Sequence, residues 1–499
     1  MNLATIDKNQ TDSIMFSKKM MTNSSLSTVR KLFRPKSFQI KTRIIENGMR
    51  IQFKRGAQEN YFDLTFPMAV WQDFPQDYKI LIKDNLAYLS SLELGIMFDA
   101  KKIRYDTPLP LFKSFFIELM LRCLIYSGDC DDKANAVDYI TRLCNLDYTF
   151  TKSKPPIINS EFSLGERSIN TFTFGKESLL GFGLSKEIGL NPAPVTIVEP
   201  DVDIIYNGIS VRTFENKHKE KLIAEFEKEF QEKIQVVYNH SRDLLDYTLW
   251  GLEETDLGWS NQLTQYLFFL LPFAYSLKGK YIVFGNEKSA DSHYYSSEGF
   301  KCNPVYDQSA EWLAQMNSLL HITTKGKVRT TSLVQPLHEL AVCKVLYQRY
   351  PHLAKYQMSC HADNDGAEHN RWCCQCSKCA RCYIFMKALN FDPISVGMKD
   401  MLTIENKEHY ALFSESKELR GYDLSGLGRD EQLFAFYLAA KNGAQGTLID
   451  LFKENLYVEA ESREEELRNE FLKVHLPENI PTELWKKIKP IFDEELKKN

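Results

Sequence analysis

Between Ile169 and Leu180 the chain passes from an apolar strand, INTFT, through Phe174-Gly175-Lys176-Glu177-Ser178 into a helix start, and no other stretch narrows the fold as much. A helix that opens on such a turn presents unpaired backbone N–H groups and the positive end of its dipole to an anion, while Gly175 permits close backbone approach. Lys176 adds a cation and Ser178 a hydroxyl donor, so phosphate is the natural occupant. The same alternation continues downstream. A helix is expected over 178–188, a strand at 195–198, a charged helix over 216–235, an apolar helix from Leu263 and a strand at 281–284. Strand and helix in turn predict an α/β fold with a parallel sheet covered on both faces, its ligands at the carboxyl ends of the strands.

A chain of 499 residues exceeds one ordinary core, so two or three domains are expected. Residues 1–40, rich in Ser, Thr, Asn, Lys and Met, read as a flexible N-terminus. Residues 41–160 read as an N-terminal α+β domain: strands at 44–53 and 61–66 with a turn between Gly56 and Asn60, then helices, the second ended by Gly128. Paired prolines in 152–163 suggest a boundary near 160. Residues 161–395 would hold the nucleotide-binding domain and 396–499 a charged helical region ending in LWKKIKPIFDEELKK. No internal repeat is visible.

Composition excludes several classes. With 43% hydrophobic and 26% charged residues the chain is an ordinary globular one. A net charge of -4 argues against strong sequence-independent binding to nucleic acid. The start, MNLATIDKNQ, lacks a secretory pattern. The most apolar stretch, 263–277, falls short of the roughly 20 residues a bilayer needs and contains Gln265 and Pro272. A cytoplasmic location without membrane attachment is therefore expected.

A second candidate element is Gly285-Asn286-Glu287-Lys288-Ser289-Ala290-Asp291-Ser292, which follows the apolar strand YIVF and so sits where a substrate or metal site would be built. Glu199 and Asp201, just after VTIV, are further candidates to meet a ligand at a strand's carboxyl end. Cys373, Cys376 and Cys379 form C-x2-C-x2-C with Cys360 upstream, and four thiolates at this spacing suit a closed structural zinc site. Cys374 and Cys382 are alternative ligands, and an iron-sulfur cluster is the alternative metal. Crowding of five of the eleven cysteines into 373–382 points to metal binding in a reducing compartment rather than disulfides.

Residues Thr173 to Ser178 resemble the S-G-G-x-D-S loop of the ATP pyrophosphatase (PP-loop, HUP) superfamily, whose members cleave ATP to AMP and pyrophosphate. Phe174 stands where Gly is frequent, and Glu177 replaces Asp. Together with the GNEKS segment, Ser359-Cys360 and the W-C-x2-C-x-K-C of Trp372 to Cys379, the loop resembles two relatives. One is 7-cyano-7-deazaguanine synthase; the closer is the UDP-N-acetyl-α-D-muramoyl-L-alanyl-L-glutamate epimerase family. That resemblance implies an enzyme that uses ATP and Mg2+ to adenylate the terminal glutamate of a UDP-linked muramoyl dipeptide and invert its α-carbon.

By the same resemblance, Lys176, Glu177 and Glu287 would carry catalysis, Glu177 assisting Mg2+. Thr173, Phe174, Gly175, Ser178, Glu199, Asn286 and Ser289 would bind the nucleotide, and Cys360, Cys373, Cys376 and Cys379 the zinc. Glu287, His293, Cys302 and His338 are the candidates for moving the α-proton. Gly426 to Glu431 sits where the family has a G-T-x-E-E-like element, without the Thr. A base-modifying enzyme of the superfamily, acting on a deazapurine or nucleic acid, and a non-catalytic ATP sensor are the competing functions. An added domain the size of residues 1–160 could close over the substrate or mediate dimerisation.

Overall fold

The computed structural model describes residues 36–498 apart from 132, 202, 207–208, 259 and 416–420. Its frame is one ten-stranded sheet. Three antiparallel strands begin it: β1 (Ser37–Ile45), β2 (Gly48–Arg55) and β3 (Gln58–Thr65). Short strands β4 (Lys102–Tyr105) and β5 (Asp147–Thr149) extend it beyond β1 in parallel. The other half comprises β6 (Arg167–Thr171), β7 (Ala193–Val198), β10 (Gln235–Asn239), β11 (Gly279–Phe284) and β14 (Arg329–Ser332), all parallel to one another. Two hairpins stand apart, β8 (Asp203–Tyr206) with β9 (Ile209–Arg212), and β12 (Tyr294–Tyr295) with β13 (Lys301–Cys302).

The order across the sheet is β14-β11-β6-β7-β10-β3-β2-β1-β4-β5. Read within its parallel half, the first strand, β6, lies at the centre. The chain moves outward through β7 and β10, returns to β11 on the other side of β6, and ends at β14. This is the doubly wound arrangement, and the chain reverses direction between β6 and β11. The first two crossover helices, Lys176–Glu187 and Glu215–Phe230, cover one face, and Gln262–Ser276 and Ala310–Thr324 cover the other.

Strand alternation accounts for this. In β11, Tyr281 and Val283 enter one core while Ile282 and Phe284 enter the other. The first core contains the loop helix, the thiolate region and the C-terminal helices. The second is shared by β1 to β3, the buried helices Gln76–Met97 and Lys113–Cys130, and the apolar helix Gln262–Ser276. No break in the sheet marks residue 160: Leu64 and Thr65 of β3 pair directly with Asn239 and Tyr238 of β10.

Several local expectations are corrected. Residues 37–40 belong to β1, with Phe38 and Ile40 buried, so the ordered chain starts before residue 41; residues 1–35 lie outside the described residues. The single strand expected at 44–53 is two strands around a turn at Glu46-Asn47. The next position must be glycine, because a Cβ on Gly48 would lie 1.9 Å from the Leu64 carbonyl oxygen. Gly128 does not stop its helix, which continues to Cys130. It serves close packing instead, since a Cβ there would lie 2.2 Å from the Ala136 nitrogen. The charged helix ends at Phe230 with Gln231 left-handed, freeing 235–239 to become β10. Among the described residues no helix is long and apolar enough to cross a membrane.

Candidate functional site

The loop after β6 and the loop after β11 meet at the point where the sheet reverses direction. Their contact is intimate: a Cβ on Gly285 would lie 2.8 Å from Glu177 Cβ. Glycine at 285 thus lets the second loop lie on the first turn of the helix Lys176–Glu187. That helix starts at Gly175 with no side chain capping it. Its first N–H groups and dipole therefore point into the junction.

Phe174 supplies the left-handed residue of the turn, at φ 63°. Glycine adopts this conformation freely, whereas an L-residue with a side chain is strained there by about 1–2 kcal/mol. Aromatic packing holds the strain in place: the buried Phe174 ring lies 4.9 Å from Phe172 and 6.2 Å from Phe226. The two hydroxyls of the loop close it from within. Ser178 Oγ accepts the Thr173 N–H at 3.2 Å and donates to the Gly175 carbonyl at 2.9 Å, and Thr173 Oγ1 accepts the Gly175 N–H at 3.3 Å. Thr173, Gly175 and Glu177 face outward while Phe174, Lys176 and Ser178 face in.

Lys176 is buried between carboxylates. Its ammonium contacts Glu177 and lies 2.8 Å from Glu339 Oε2, and that oxygen is also 3.1 Å from Arg381 Nε. Arg381 continues to Asp423 at 2.7 Å, which accepts from Gln432 at 3.1 Å. Burial works against the charge on Lys176, but Glu177 and Glu339 outweigh it and hold the proton well above the usual lysine range. Burial likewise opposes the charge on Glu339, yet Arg381 and Lys176 keep its pKa at about 2. Glu287 has the opposite fate. Burial, then the charges of Glu177 and Glu339, push its carboxyl well above the ordinary range. Glu287 is thereby suited to hold a proton and Glu339 to stay ionised.

Asn286 Nδ2, beside this cluster, is buried without a hydrogen-bond partner, and buried polar atoms in that state are uncommon; the buried Tyr422 hydroxyl lies against Ser289 and Glu431. The Arg381 guanidinium lies over the Tyr422 ring at 5.8 Å. Glu431 Oε1 accepts the Leu340 N–H at 2.8 Å, capping the helix Glu339–Arg349. Ser289 Oγ is 3.0 Å from His338 Nδ1 and accepts the Glu339 N–H at 3.3 Å, which places it behind the cluster.

Cys360, Cys373, Cys376 and Cys379 converge, with all four sulfurs within 4.8 Å of one another. A tetrahedral ion with bonds of about 2.3 Å sets its sulfurs about 3.8 Å apart. Cys373 and Cys379 lie at 3.8 Å. The set can hold one metal ion such as zinc; the several irons and sulfides of a cluster need wider spacing than this. Backbone N–H groups already point at the sulfurs: Ala362 to Cys360 at 3.2 Å, Gln375 to Cys373 and Cys379 to Cys376 at 3.4 Å each. Such donors stabilise thiolate, and within the four-sulfur set the mutual sulfur hydrogen bonds lower Cys373 while they raise Cys376 and Cys379, so Cys373 gives up its proton first. Cys374 and Cys382 lie outside the set. Cys374 Sγ accepts the Lys399 N–H at 3.3 Å, and Cys382 Sγ lies 3.7 Å from Gln357 Nε2.

The thiolate centre and the loop are mechanically joined. Two residues before Cys360, the Met358 N–H donates to the Phe174 carbonyl at 2.8 Å. Cys376 caps the helix Ser377–Ala388, which delivers Arg381 to Glu339.

Other expected residues are placed as follows. Glu199, past the end of β7, is bound by Asn239 at 3.1 Å and by Gln262 and Tyr266 at 2.9 Å, so its carboxylate is already occupied. Asp201 accepts from Thr213 at 3.2 Å. His293 is exposed and stacks edge-on with Tyr295. Cys302 is buried in the small hairpin, its thiol pushed up to about 11 by burial and Asp129. Among the described residues neither side chain shows a hydrogen bond to Lys176, Glu177 or Glu287. Glu339, Arg381 and Asp423 were not singled out from the sequence; no local pattern marks them, though the helical offset of Arg381 from Cys376 is a usable signal.

No protein-family model matches the sequence, and no curated protein matches it either. The arrangement of side chains at the sheet reversal therefore carries the functional argument.

Proposed function

We propose that this chain is an ATP pyrophosphatase-type enzyme of the HUP fold that activates a carboxylate as its adenylate. Among such enzymes, the ordered motifs favour the epimerase of the terminal L-glutamate of UDP-N-acetylmuramoyl-L-alanyl-L-glutamate. The observation that carries the reading is the junction of the Phe174 loop with Gly285-Asn286-Glu287 where the parallel sheet reverses, the position at which doubly wound sheets bind nucleotides. The uncapped helix start at Gly175 supplies N–H donors for phosphate oxygens, and Lys176 a buried cation beside them.

The acids Glu177, Glu339 and Asp423 outnumber the bases Lys176 and Arg381 around the junction, so a polyphosphate would enter with a counter-cation. Glu177, partly exposed at the loop, would hold Mg2+, which supplies that neutralisation when bound. A carboxylate resists loss of its α-proton because the product would carry two adjacent charges; its joining to AMP as a mixed anhydride, with release of pyrophosphate, removes the first and acidifies the carbon. Glu287, whose burial and acidic neighbours keep its carboxyl protonated, suits the group that returns that proton. Cys360, Cys373, Cys376 and Cys379 would hold a structural metal ion such as zinc, and through Met358 and the helix Ser377–Ala388 they keep Phe174 and Arg381 in register.

The test is pyrophosphate release from ATP and Mg2+ with the muramoyl dipeptide, with chiral analysis of the product glutamate, in wild type and Lys176→Ala. Substrate-dependent pyrophosphate and D-glutamate are expected, reduced about 10²–10³-fold in the variant. ATP binding with no turnover on this substrate would reject the epimerase; turnover on a deazapurine or nucleic acid would favour the base-modifying alternative.

A further inference from the structure

Behind the cluster, and separate from the thiolates, three metal-binding side chains converge from distant parts of the chain. His338 precedes the helix Glu339–Arg349, Glu470 lies in the last turn of the helix Glu464–Phe471, and His475 follows in the turn beyond it. One ligand atom of each lies within 4.8 Å of the other two. His338 Nε2 is 3.0 Å from Glu470 Oε1, and the two imidazole rings sit edge to face at 5.0 Å.

The second nitrogen of each ring is already engaged. His475 Nε2 is 2.8 Å from the Glu470 carbonyl oxygen, a partner that can only accept, so Nε2 carries the proton and Nδ1 is the nitrogen left with a lone pair for a metal. His338 Nδ1 is 3.0 Å from Ser289 Oγ. With that nitrogen donating to the hydroxyl, His338 Nε2 and the Glu470 oxygen face each other as two acceptors, and a cation between them satisfies both. Metal-binding histidines are oriented in this way, through the ring nitrogen that does not bind the metal.

The site is also held still. The His475 N–H donates to the Pro336 carbonyl at 2.9 Å, only two residues from His338, and the Phe471 ring lies edge-on to His338 at 5.2 Å. The nearby Lys288 is neutralised by Asp291 and Glu478, each at 3.2 Å. His338 is buried while Glu470 is partly exposed, which leaves a side open to water. Metal bonds of about 2.0–2.2 Å to nitrogen and oxygen set tetrahedral donors about 3.3 Å apart, close to the observed pair.

We infer that His338, Glu470 and His475 form a second metal site, distinct from the thiolate centre, which takes a divalent transition metal of the zinc class with water completing the coordination. Imidazole with one carboxylate selects such ions over Mg2+ or Ca2+. A metal here ties the C-terminal segment to Ser289 and to the helix carrying Glu339.

The experiment is Co2+ titration of the metal-free full chain, followed by absorption spectroscopy and metal analysis. Two equivalents are expected, one with thiolate-to-metal charge transfer and one without. Glu470→Gln and His475→Ala, both at partly exposed residues, should weaken the second at least tenfold and leave the thiolate signal intact. Cys373→Ser should abolish the thiolate signal alone, so failure of one site is read separately from failure of the other. A wild-type protein that binds Co2+ only with the thiolate spectrum, or a second equivalent unchanged in both variants, overturns the assignment.

Discussion

Glycine substituted for Phe174 should be less damaging than alanine, the reverse of the usual order. Phe174 is fully buried at φ 63°. Truncation of a buried Phe to Ala costs about 3–5 kcal/mol, and both variants lose the ring. Alanine keeps the left-handed strain of about 1–2 kcal/mol, whereas glycine has none. Against that, glycine adds about 0.5–1 kcal/mol of backbone entropy to the unfolded chain. The balance favours Phe174→Gly over Phe174→Ala by up to about 1.5 kcal/mol. Phe172, equally buried two residues earlier and without a positive φ, is the internal control: there Ala should exceed Gly by about 0.5–1 kcal/mol. Urea unfolding of the four variants beside wild type reads the order directly. Because a chain with two cores need not unfold in one step, the order of midpoints is the result to use. Phe174→Ala equal to or more stable than Phe174→Gly would refute the claim that backbone strain, offset by aromatic packing, sets this loop.

Three further outcomes are expected. Glu287→Gln should retain substrate-dependent pyrophosphate release while D-glutamate formation falls at least 10²-fold, measured by the same two assays; equal loss of both would remove Glu287 from proton transfer. Cys374→Ser and Cys382→Ser should keep the thiolate metal, whereas Cys376→Ser and Cys379→Ser should lose it along with thermal stability, as read by metal analysis and melting. Asp307, which accepts the Leu263 N–H at 3.1 Å, is raised by burial from 3.8 to about 7. Its neutral form is the one the fold favours, so its contribution is best below pH 4 and erodes as pH rises to 7. Asp307→Asn should therefore gain stability over wild type between those values, up to about 4 kcal/mol and less for its partial exposure. Melting temperatures that differ from wild type equally at pH 5 and pH 8 would contradict this.

What the sequence revealed follows from how locally each feature is encoded. The β6 strand, the glycine turn and the next helix are contiguous, and four cysteines lie within twenty residues, so both were legible. Strand β10 was missed because QVVYN directly follows a charged helix whose pattern seemed to run on to Gln235. RTTS of β14 has only four residues and no apolar alternation, although it is buried against β11. The union of the N-terminal strands with the parallel sheet depends on β3 pairing with β10, across more than 170 positions, and no local signal can announce it.

The departures in the loop also acquire a physical account. A glycine-rich loop is free to turn but is held by nothing of its own; Phe174 accepts strain and returns an anchor in the aromatic core. That anchor is what the Met358 hydrogen bond grips, so the thiolate centre can act on the loop through the backbone of a single residue. The lengthened acid at 177 reaches Lys176 and, at its Cβ, packs on Gly285. Adding a methyl group at Gly285 should separate the two loops and cost activity well beyond its effect on melting, because both halves of the cluster would remain folded but no longer meet. Gly285→Ala with wild-type turnover would mean that Glu177 and Glu287 act without this contact.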